Sequence, residues 1–485
     1  MIQWALISVQ YFFFHFILFT RFYAFVSGAG KCGIAVIRVS GEKTKHALKS
    51  LTGFDSFKPR FATLKQIRDP CTQTVIDNGL VLFFQAPKSF TGEDSAEFQV
   101  HGGSAVVAAL LSALSKVEGL RPAEPGEFTK RAFFNGKLDL TEVEGLADLI
   151  HAETENQRRQ ALIHADGHLS KLYMKWRTQL LRNIAHTEAY IDFSEDENIE
   201  DGVLDVTLKS LSELKLEMQR HLADGRKGER LREGVKMVIL GDTNVGKSSL
   251  MNLLVQRDIS IVTEIEGTTR DVVESHFDIN GFPVVISDTA GLRKSNDIVE
   301  SEGIARAKKC ATTADLVILV IDGEKMTQNF DGDFEKFRKK YLTSLGLNLK
   351  TLEGREILTV VNKIDLVTPK HQKLLNDADV ISISCTKSIN IEVILAKITE
   401  NLVKLCGDPQ SESPLLSHAR HRYYLEECLQ NIENFLQSFD ASEEQDFAVL
   451  AQNLRNAVRS IGKITGEVRI DDLLDVIFRD FCIGK

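Results

Sequence analysis

The feature that most restricts the fold is an apolar strand that runs directly into a glycine-rich turn and then a helix. Val235 to Leu240 leads without interruption into Gly241-Asp242-Thr243-Asn244-Val245-Gly246-Lys247-Ser248, the spacing GxxxxGK[ST]. Glycine lets the backbone fold tightly, so that successive N–H groups and the helix N-terminus face phosphate oxygens. Lys247 then reaches the β and γ phosphates, and the Ser248 hydroxyl offers a magnesium ligand.

From about residue 235 to 405 apolar strand runs (Val284 to Ser287, Leu316 to Ile321, Ile357 to Val361, Val380 to Ser384) alternate with helical stretches. That alternation predicts a mostly parallel, doubly wound α/β domain. Three further motifs follow in order. Asp288-Thr289-Ala290-Gly291 closes a strand, where Asp288 reaches magnesium through water and the Gly291 N–H senses the γ-phosphate. Ahead of it, Gly267-Thr268-Thr269-Arg270-Asp271 supplies Thr269 to close over magnesium. Asn362-Lys363-Ile364-Asp365 places a carboxylate that accepts from guanine N1–H and the exocyclic amine, a donor pair that adenine lacks; Ser384-Cys385-Thr386 meets the base from the other side. The motifs define a GTP-binding domain.

At 485 residues the chain has room for roughly three domains of about 150 residues. Its 59 basic and 68 acidic residues give −9, which excludes nucleic-acid binding by bulk charge but leaves room for a local basic patch. Seven scattered cysteines without a CxxC pair fit neither a disulfide framework nor a zinc cluster, and favour a reducing compartment. Upstream, Gly33 to Arg38, Gly79 to Gln85 and Ala96 to Val100 read as strands and Lys45 to Thr52 as a helix, an α+β block ending near the loop Arg121 to Phe128. Leu169 to Ile184, Leu204 to Leu222, Leu425 to Phe435 and Leu450 to Ile461 keep helical apolar spacing on both sides of the α/β segment. The α/β domain therefore reads as an insertion into a helical domain, with Asp192 to Asp201 as an acidic exposed linker. The clusters Arg226 to Arg232 and His418 to Arg422 read as solvated faces in preference to RNA contacts.

The segment Ile2 to Thr20 carries no Asp, Glu, Lys or Arg. It lacks the basic start and small-residue cleavage site of a secretory signal and the Arg-rich amphipathy of a presequence, so a targeting or anchoring segment and a non-native start both stay open.

Hydrolysis needs a residue that orients water, and Leu292, after Gly291, offers no hydrogen bond. Asp297 to Gly303 contains candidate carboxylates, for which a solvated helix start is the alternative.

With Phe90-Thr91-Gly92-Glu93-Asp94, Glu97, His101-Gly102-Gly103, Pro125 to Phe128, Asn135 to Asp139 and the ending Phe481-Cys482-Ile483-Gly484-Lys485, these motifs resemble the MnmE/TrmE family of tRNA-modification GTPases, and Ser27 to Gly41 resembles its mitochondrial branch. The resemblance runs from about residue 22 to the end and implies a segment 1–21 outside it. It further implies a tetrahydrofolate-binding and dimerisation domain over 22–138, a helical domain over 139–233 and 408–485, and a Ras-like G domain over 234–407. Nucleotide contacts would fall on Asn244, Val245, Gly246, Lys247, Ser248 and Ser249. The loop Thr263, Glu264, Ile265, Glu266, Gly267, Thr268 and Thr269 would add more, as would Asp288, Thr289, Ala290, Gly291, Asn362, Lys363, Asp365, Ser384, Cys385 and Thr386. Magnesium would be held by Ser248 and Thr269, and potassium by Asn244, Thr263, Ile265 and Thr268, with the cation standing where other GTPases use an arginine. Glu300 maps to the water-orienting carboxylate.

Folate, as a 5,10-methylene or formyl tetrahydrofolate, would meet Arg38, Glu97, Lys137 and Lys485. Glu97 would accept from the pterin, and Arg38 or Lys137 would pair with the glutamate carboxylate. Cys482, in a tail expected to be mobile, sits in the family's Cys-x-Gly-Lys ending as a thiol near the folate. The implied activity is potassium-dependent GTP hydrolysis alongside an FAD-dependent MnmG/GidA-type partner, FAD being held by the partner alone. Together they would modify carbon 5 of the tRNA wobble uridine, to taurinomethyl in mitochondria or carboxymethylaminomethyl elsewhere. A homodimer without stable membrane association, in the mitochondrial matrix, is implied as well. Thr243 and Val245 depart from the family's usual Pro and Ala, which implies slower turnover at most. The alternative is an Era/Der-type ribosome-assembly GTPase with no modification activity; a second, a membrane-anchored GTPase, rests on residues 2 to 20 alone.

Overall fold

The computed structural model describes residues 21–28, 30–193, 202–257, 259–265, 274–287, 309–329, 333–347, 352–369, 372, 375, 380–408, 414–441, 447–468, 471–479, 481 and 484. They form two compact units: residues up to Ala147 with Leu169–Tyr173 and Gly462–Lys485, and Asp148–His168 with Met174–Ile461. The end of the chain, read from sequence as the close of the helical domain, thus groups with the first unit.

The first unit is built on a six-stranded sheet in the order β3-β4-β5-β2-β1-β6, from β1 (Arg21–Phe25), β2 (Cys32–Ser40), β3 (Thr63–Arg68), β4 (Val75–Phe84), β5 (Ser95–Gly102) and β6 (Leu120–Pro122). Strand side chains alternate between faces. Ala35, Ile37 and Val39 of β2 are buried with Leu48 and Leu51 of α1 (Thr44–Thr52) and Leu110 and Leu114 of α2 (Ser104–Ser115). Phe22 and Ala24 of β1 bury the other face with Phe128 of α3 (Glu127–Phe134), the two Phe rings edge-on at 4.5 Å. The loop expected from Arg121 to Phe128 is instead an edge strand followed by a helix start. Leu120–Pro122 pairs in parallel with β1, and Pro122 is tolerated because its missing N–H lies at a sheet edge.

The C-terminal helix Asp471–Arg479 packs on α3 within this unit. Lys130 Nζ donates to Asp475 Oδ1 at 2.9 Å, and the Phe133 and Phe478 rings lie 6.0 Å apart. Gly126, at φ +68, lies so close to the Phe478 carbonyl that a Cβ would collide with it. Phe481 and Gly484 are buried, which corrects the expectation of a mobile tail for those two residues; Cys482 and Lys485 lie outside the described residues.

The second unit holds a seven-stranded sheet, β13-β12-β11-β7-β10-β9-β8, from β7 (Val235–Leu240), β8 (Ile259–Ile265), β9 (Glu274–Ile279), β10 (Phe282–Ser287), β11 (Leu316–Asp322), β12 (Glu356–Asn362) and β13 (Ile381–Ser382). Strands β10, β7, β11, β12 and β13 are parallel; β9 and β8 add antiparallel pairs at one edge. The β9–β10 turn uses Asn280 and Gly281, both at positive φ, as a tight hairpin requires. Strand β11 is buried along its length, with one apolar core on each face of the sheet. The strand read over Val380 to Ser384 shortens to Ile381–Ser382, because Ser384 turns to bridge Ile389.

The long helices are His168–Phe193, Gly202–Leu222, Ala419–Ala441 and Phe447–Thr465, which bury Trp176, Leu211, Met218, Leu425, Phe435 and Leu454. The first continues through Asp192 and Phe193, so helix replaces the start of the acidic linker. The basic clusters prove to be internally paired. Arg422 meets Asp224 at 2.6 Å and Glu229 at 2.7 Å, Arg230 meets Asp315 at 2.8 Å, and Arg232 and His418 converge on Asp148 at 2.7 and 3.0 Å. Among the described residues no helix is long and apolar enough to cross a membrane, and no His/Cys/Asp/Glu group could hold a metal.

Candidate nucleotide and cofactor sites

The turn after β7 emerges at the carboxyl end of the parallel strands, where open α/β sheets bind ligands. Gly241 sits against the Val320 carbonyl of β11, leaving no room for a Cβ. Gly246, at φ +98, places its backbone where a Cβ would run into the Asn362 amide nitrogen. The two glycines are therefore required by close approach as well as by backbone conformation. Lys247 opens the helix Lys247–Arg257. Its ammonium donates to the Gly241 and Asp242 carbonyls, both at 2.7 Å. Burial pushes its pKa below the usual lysine value, with Asp242 opposing. Ser248 is half-buried, while Ser249 and Asn244 are exposed, Asn244 at φ +60.

Asn362, at the end of β12 and 2% exposed, ties this loop to the base motifs. Its Nδ2 donates to the Val245 carbonyl at 2.8 Å, and its Oδ1 accepts from the Cys385 N–H at 3.1 Å. Burial pushes the Cys385 thiol up to about 11, so it stays protonated and acts as a small buried group. Ser384 is also buried, and its hydroxyl accepts from the Lys387 N–H at 3.1 Å. Asp365 is exposed on the single 3-10 turn Ile364–Leu366 that follows β12, and Thr386 on the turn that follows β13. Asp365 has no hydrogen-bond partner among the described residues, which leaves its carboxylate available to a base.

Two residues that sequence reasoning missed complete this framework. Asp322, buried at the end of β11, accepts Lys363 Nζ at 2.6 Å through one oxygen and the Glu324 N–H at 3.0 Å through the other. Tyr341, on the helix Phe334–Ser344, donates from its hydroxyl to the Val320 carbonyl at 3.0 Å and accepts the Asp242 N–H at 2.8 Å. Burial pushes that phenol up to about 12, so it remains a donor.

The structure brings the phosphate loop and both base motifs together. For the potassium set it shows Asn244 and the β8 backbone that carries Thr263, Glu264 and Ile265. Glu266, Gly267, Thr268, Thr269, Asp288, Thr289, Ala290, Gly291, Leu292 and Glu300 lie outside the described residues.

A second polar site lies on the first unit. Arg38 and Glu97 are cross-strand partners on β2 and β5, and Glu97 Oε1 accepts two guanidinium N–H bonds at 3.0 and 2.7 Å. The Arg38 guanidinium also lies 5.8 Å from the Phe90 ring centroid and 5.5 Å from that of Phe128. Lys137 donates to the Pro87 carbonyl at 3.2 Å, and its stem lies against Gly92. Arg38 is thus engaged by Glu97, which leaves Lys137 the freer cation for a carboxylate. The donor set fits a pterin-type ligand: a partly buried carboxylate, two cations and one exposed aromatic face, that of Phe90, Phe128 being buried in the core. Beneath it, Arg131, 3% exposed at its side chain, bonds Glu93 at 2.9 Å and Glu127 at 3.0 Å and covers the Phe22 ring at 4.3 Å.

A glycine-cradled phosphate loop wired to a guanine-reading motif on a parallel sheet defines a P-loop GTP-binding protein. The family described as TrmE N-terminus, GTP-binding protein, matches residues 21–137, and the MnmE helical domain matches residues 140–482. The chain is 47% identical over 471 residues to the zebrafish (Danio rerio) mitochondrial 5-taurinomethyluridine-tRNA synthase subunit GTPB3, covering 96% of this chain and 93% of that protein. It is 45% identical to the human counterpart at the same coverage, and 42% identical to the tRNA modification GTPase MnmE of Rickettsia rickettsii, covering 95% and 98%. The chain belongs to the MnmE/TrmE family of tRNA-modification GTPases.

Proposed function

We propose that this chain is the potassium-activated GTPase subunit of a mitochondrial tRNA-modifying complex that acts on carbon 5 of the wobble uridine. It uses a folate one-carbon unit and works beside an FAD-dependent MnmG/GidA-type protein. The relatives' names support a taurinomethyl product and a mitochondrial location, for which we take the matrix. The observation that carries the reading is the Arg38–Glu97 pair with Phe90 and Lys137. An assembly switch of the Era/Der type needs no such site apart from its nucleotide loop.

Potassium would sit at Asn244, Thr263, Ile265 and Thr268, magnesium at Ser248 and Thr269, and Glu300 would orient water. Lys485 and Cys482 would approach the folate. Exposed Ile34, Leu64 and Leu80, on β2, β3 and β4, support homodimerisation through the first unit.

The test measures GTP hydrolysis in potassium and in sodium for the parent and Glu300→Ala, with tetrahydrofolate titrated against the parent and Glu97→Ala. Potassium stimulation lost in Glu300→Ala, and folate binding lost in Glu97→Ala, would support the reading. A cation-independent rate that survives loss of Glu300, with no folate binding, would favour the assembly switch.

A further inference from the structure

The chain is acidic overall, yet Phe57 to Arg68 contains four basic residues and no Asp or Glu, and Phe83 to Phe90 adds Lys88, again without an acid. The fold brings these two segments together. The Arg60 N–H donates to the Phe83 carbonyl at 2.7 Å, and Arg60 Nη2 donates to the Lys88 carbonyl at 2.9 Å. Phe61 is 57% exposed, a large aromatic face presented to solvent, with Lys58 Nζ 5.5 Å from its centroid. Phe90, 38% exposed, follows Lys88 by two residues and lies 5.8 Å from the Arg38 guanidinium.

The Ala86–Lys88 turn is shared with the second polar site. Lys137 donates to the Pro87 carbonyl, one residue from the carbonyl that Arg60 holds. Cations that track a phosphate backbone and an exposed ring that stacks a base are the two elements of single-strand recognition. Stacking on an aromatic face is how unpaired RNA bases are held.

The geometry points to the corner formed by Lys58, Arg60, Phe61 and Lys88 as the surface that receives an unpaired stretch of the tRNA substrate. An unpaired base stacked on Phe61 lies across the Ala86–Lys88 turn from Arg38, Glu97 and Lys137, the place from which a one-carbon unit would be delivered. This inference rests on the proposed function and adds to it a substrate-contact surface.

The test titrates the full-length protein with an unmodified anticodon stem-loop RNA carrying uridine at the wobble position, by fluorescence anisotropy at several salt concentrations. Phe61→Ala is expected to weaken binding roughly 5- to 150-fold. The double variant Lys58→Ala/Arg60→Ala is expected to reduce the slope of log affinity against log salt by about 1.4, as for two lost single-strand phosphate contacts. Basal GTP hydrolysis, melting temperature and elution volume should match the parent.

Parent-like RNA binding in all variants would overturn this surface and leave the tRNA reading standing. A parent that binds no RNA would overturn both. A change of oligomeric state in Phe61→Ala would assign the ring to a contact between copies and overturn its role in RNA binding.

Discussion

Asn362 Nδ2 donates to the Val245 carbonyl across 117 positions of sequence, so the base-reading strand end and the phosphate loop are held as one piece. The same amide fills the space that a side chain at Gly246 would need. Removing it leaves the Val245 carbonyl and the Cys385 N–H without their partner, at about 1–3 kcal/mol for each buried group. Asn362→Ala should therefore weaken GDP and GTP alike by roughly 10- to 100-fold, measured by titration with a fluorescent nucleotide. Unchanged affinity would show that the loop holds its shape without this bridge.

Tyr341 acts on the other end of the loop. Phenylalanine in its place keeps the stacking on Phe337, whose ring lies 6.2 Å away, but withdraws the acceptor of the Asp242 N–H and the donor to Val320. A loss of about 1 kcal/mol, roughly fivefold in nucleotide affinity with little change in kcat, is expected for Tyr341→Phe. Steady-state kinetics that show a fall in kcat and no rise in KM would place Tyr341 elsewhere in the mechanism.

The contrast between Asn362 and Tyr341 marks what the sequence could reveal. Asn362 stands in a motif whose spacing and preceding strand announce it. Tyr341 is one aromatic in an amphipathic helix, 99 positions from its partner, and no local pattern singles it out. The same holds for Asp322, and for the pairing of Arg422 with Asp224 and Glu229, about 200 positions apart. Those arginines read as solvated faces because their partners are brought near only by the fold. Strands with strong apolar runs were legible to within a few residues. The edge strand Leu120–Pro122 was not, since three residues containing a proline carry no strand pattern. The Arg38–Glu97 site was legible only through family resemblance, an isolated ion pair being of little weight by itself.

Asp365 tests the identity of the base. Its exposed carboxylate offers two acceptors to the N1–H and amine of guanine. Asp365→Asn replaces one acceptor with a donor that faces the guanine amine but would suit the carbonyl that xanthine carries at the same carbon. GTP affinity should fall by on the order of 100-fold or more, and XTP should become the better substrate. Competition between GTP and XTP in a phosphate-release assay measures this directly. Retention of GTP preference would mean that the base is read by other groups.

His164 provides a pH prediction for the second unit. It is 2% exposed, and Gln160 donates to its Nε2 at 2.9 Å, which leaves the ring proton on Nδ1, 3.3 Å from Ser417 Oγ. Burial, with His421 and His418 nearby, pushes its pKa down to about 4 against the pull of Asp148. The folded protein therefore keeps this imidazole neutral where the unfolded chain, at about 6.5, has begun to bind a proton. Its contribution is complete above pH 6.5 and disappears as pH falls toward 4, a loss on the order of 3 kcal/mol at 1.36 kcal/mol per pH unit. Urea unfolding of the second unit at pH 7.5, 6 and 5 should show this decline, and His164→Gln should flatten the part that belongs to His164. An equal slope in parent and variant would assign the acid sensitivity between pH 7.5 and 5 to groups other than His164, among which the Asp148 carboxylate does not count. Burial raises its pKa, but His418 and Arg232 outweigh that and hold it below the ordinary value. Its own contribution is therefore lost only at lower pH, as the carboxylate takes up a proton, and the two residues separate along the pH axis.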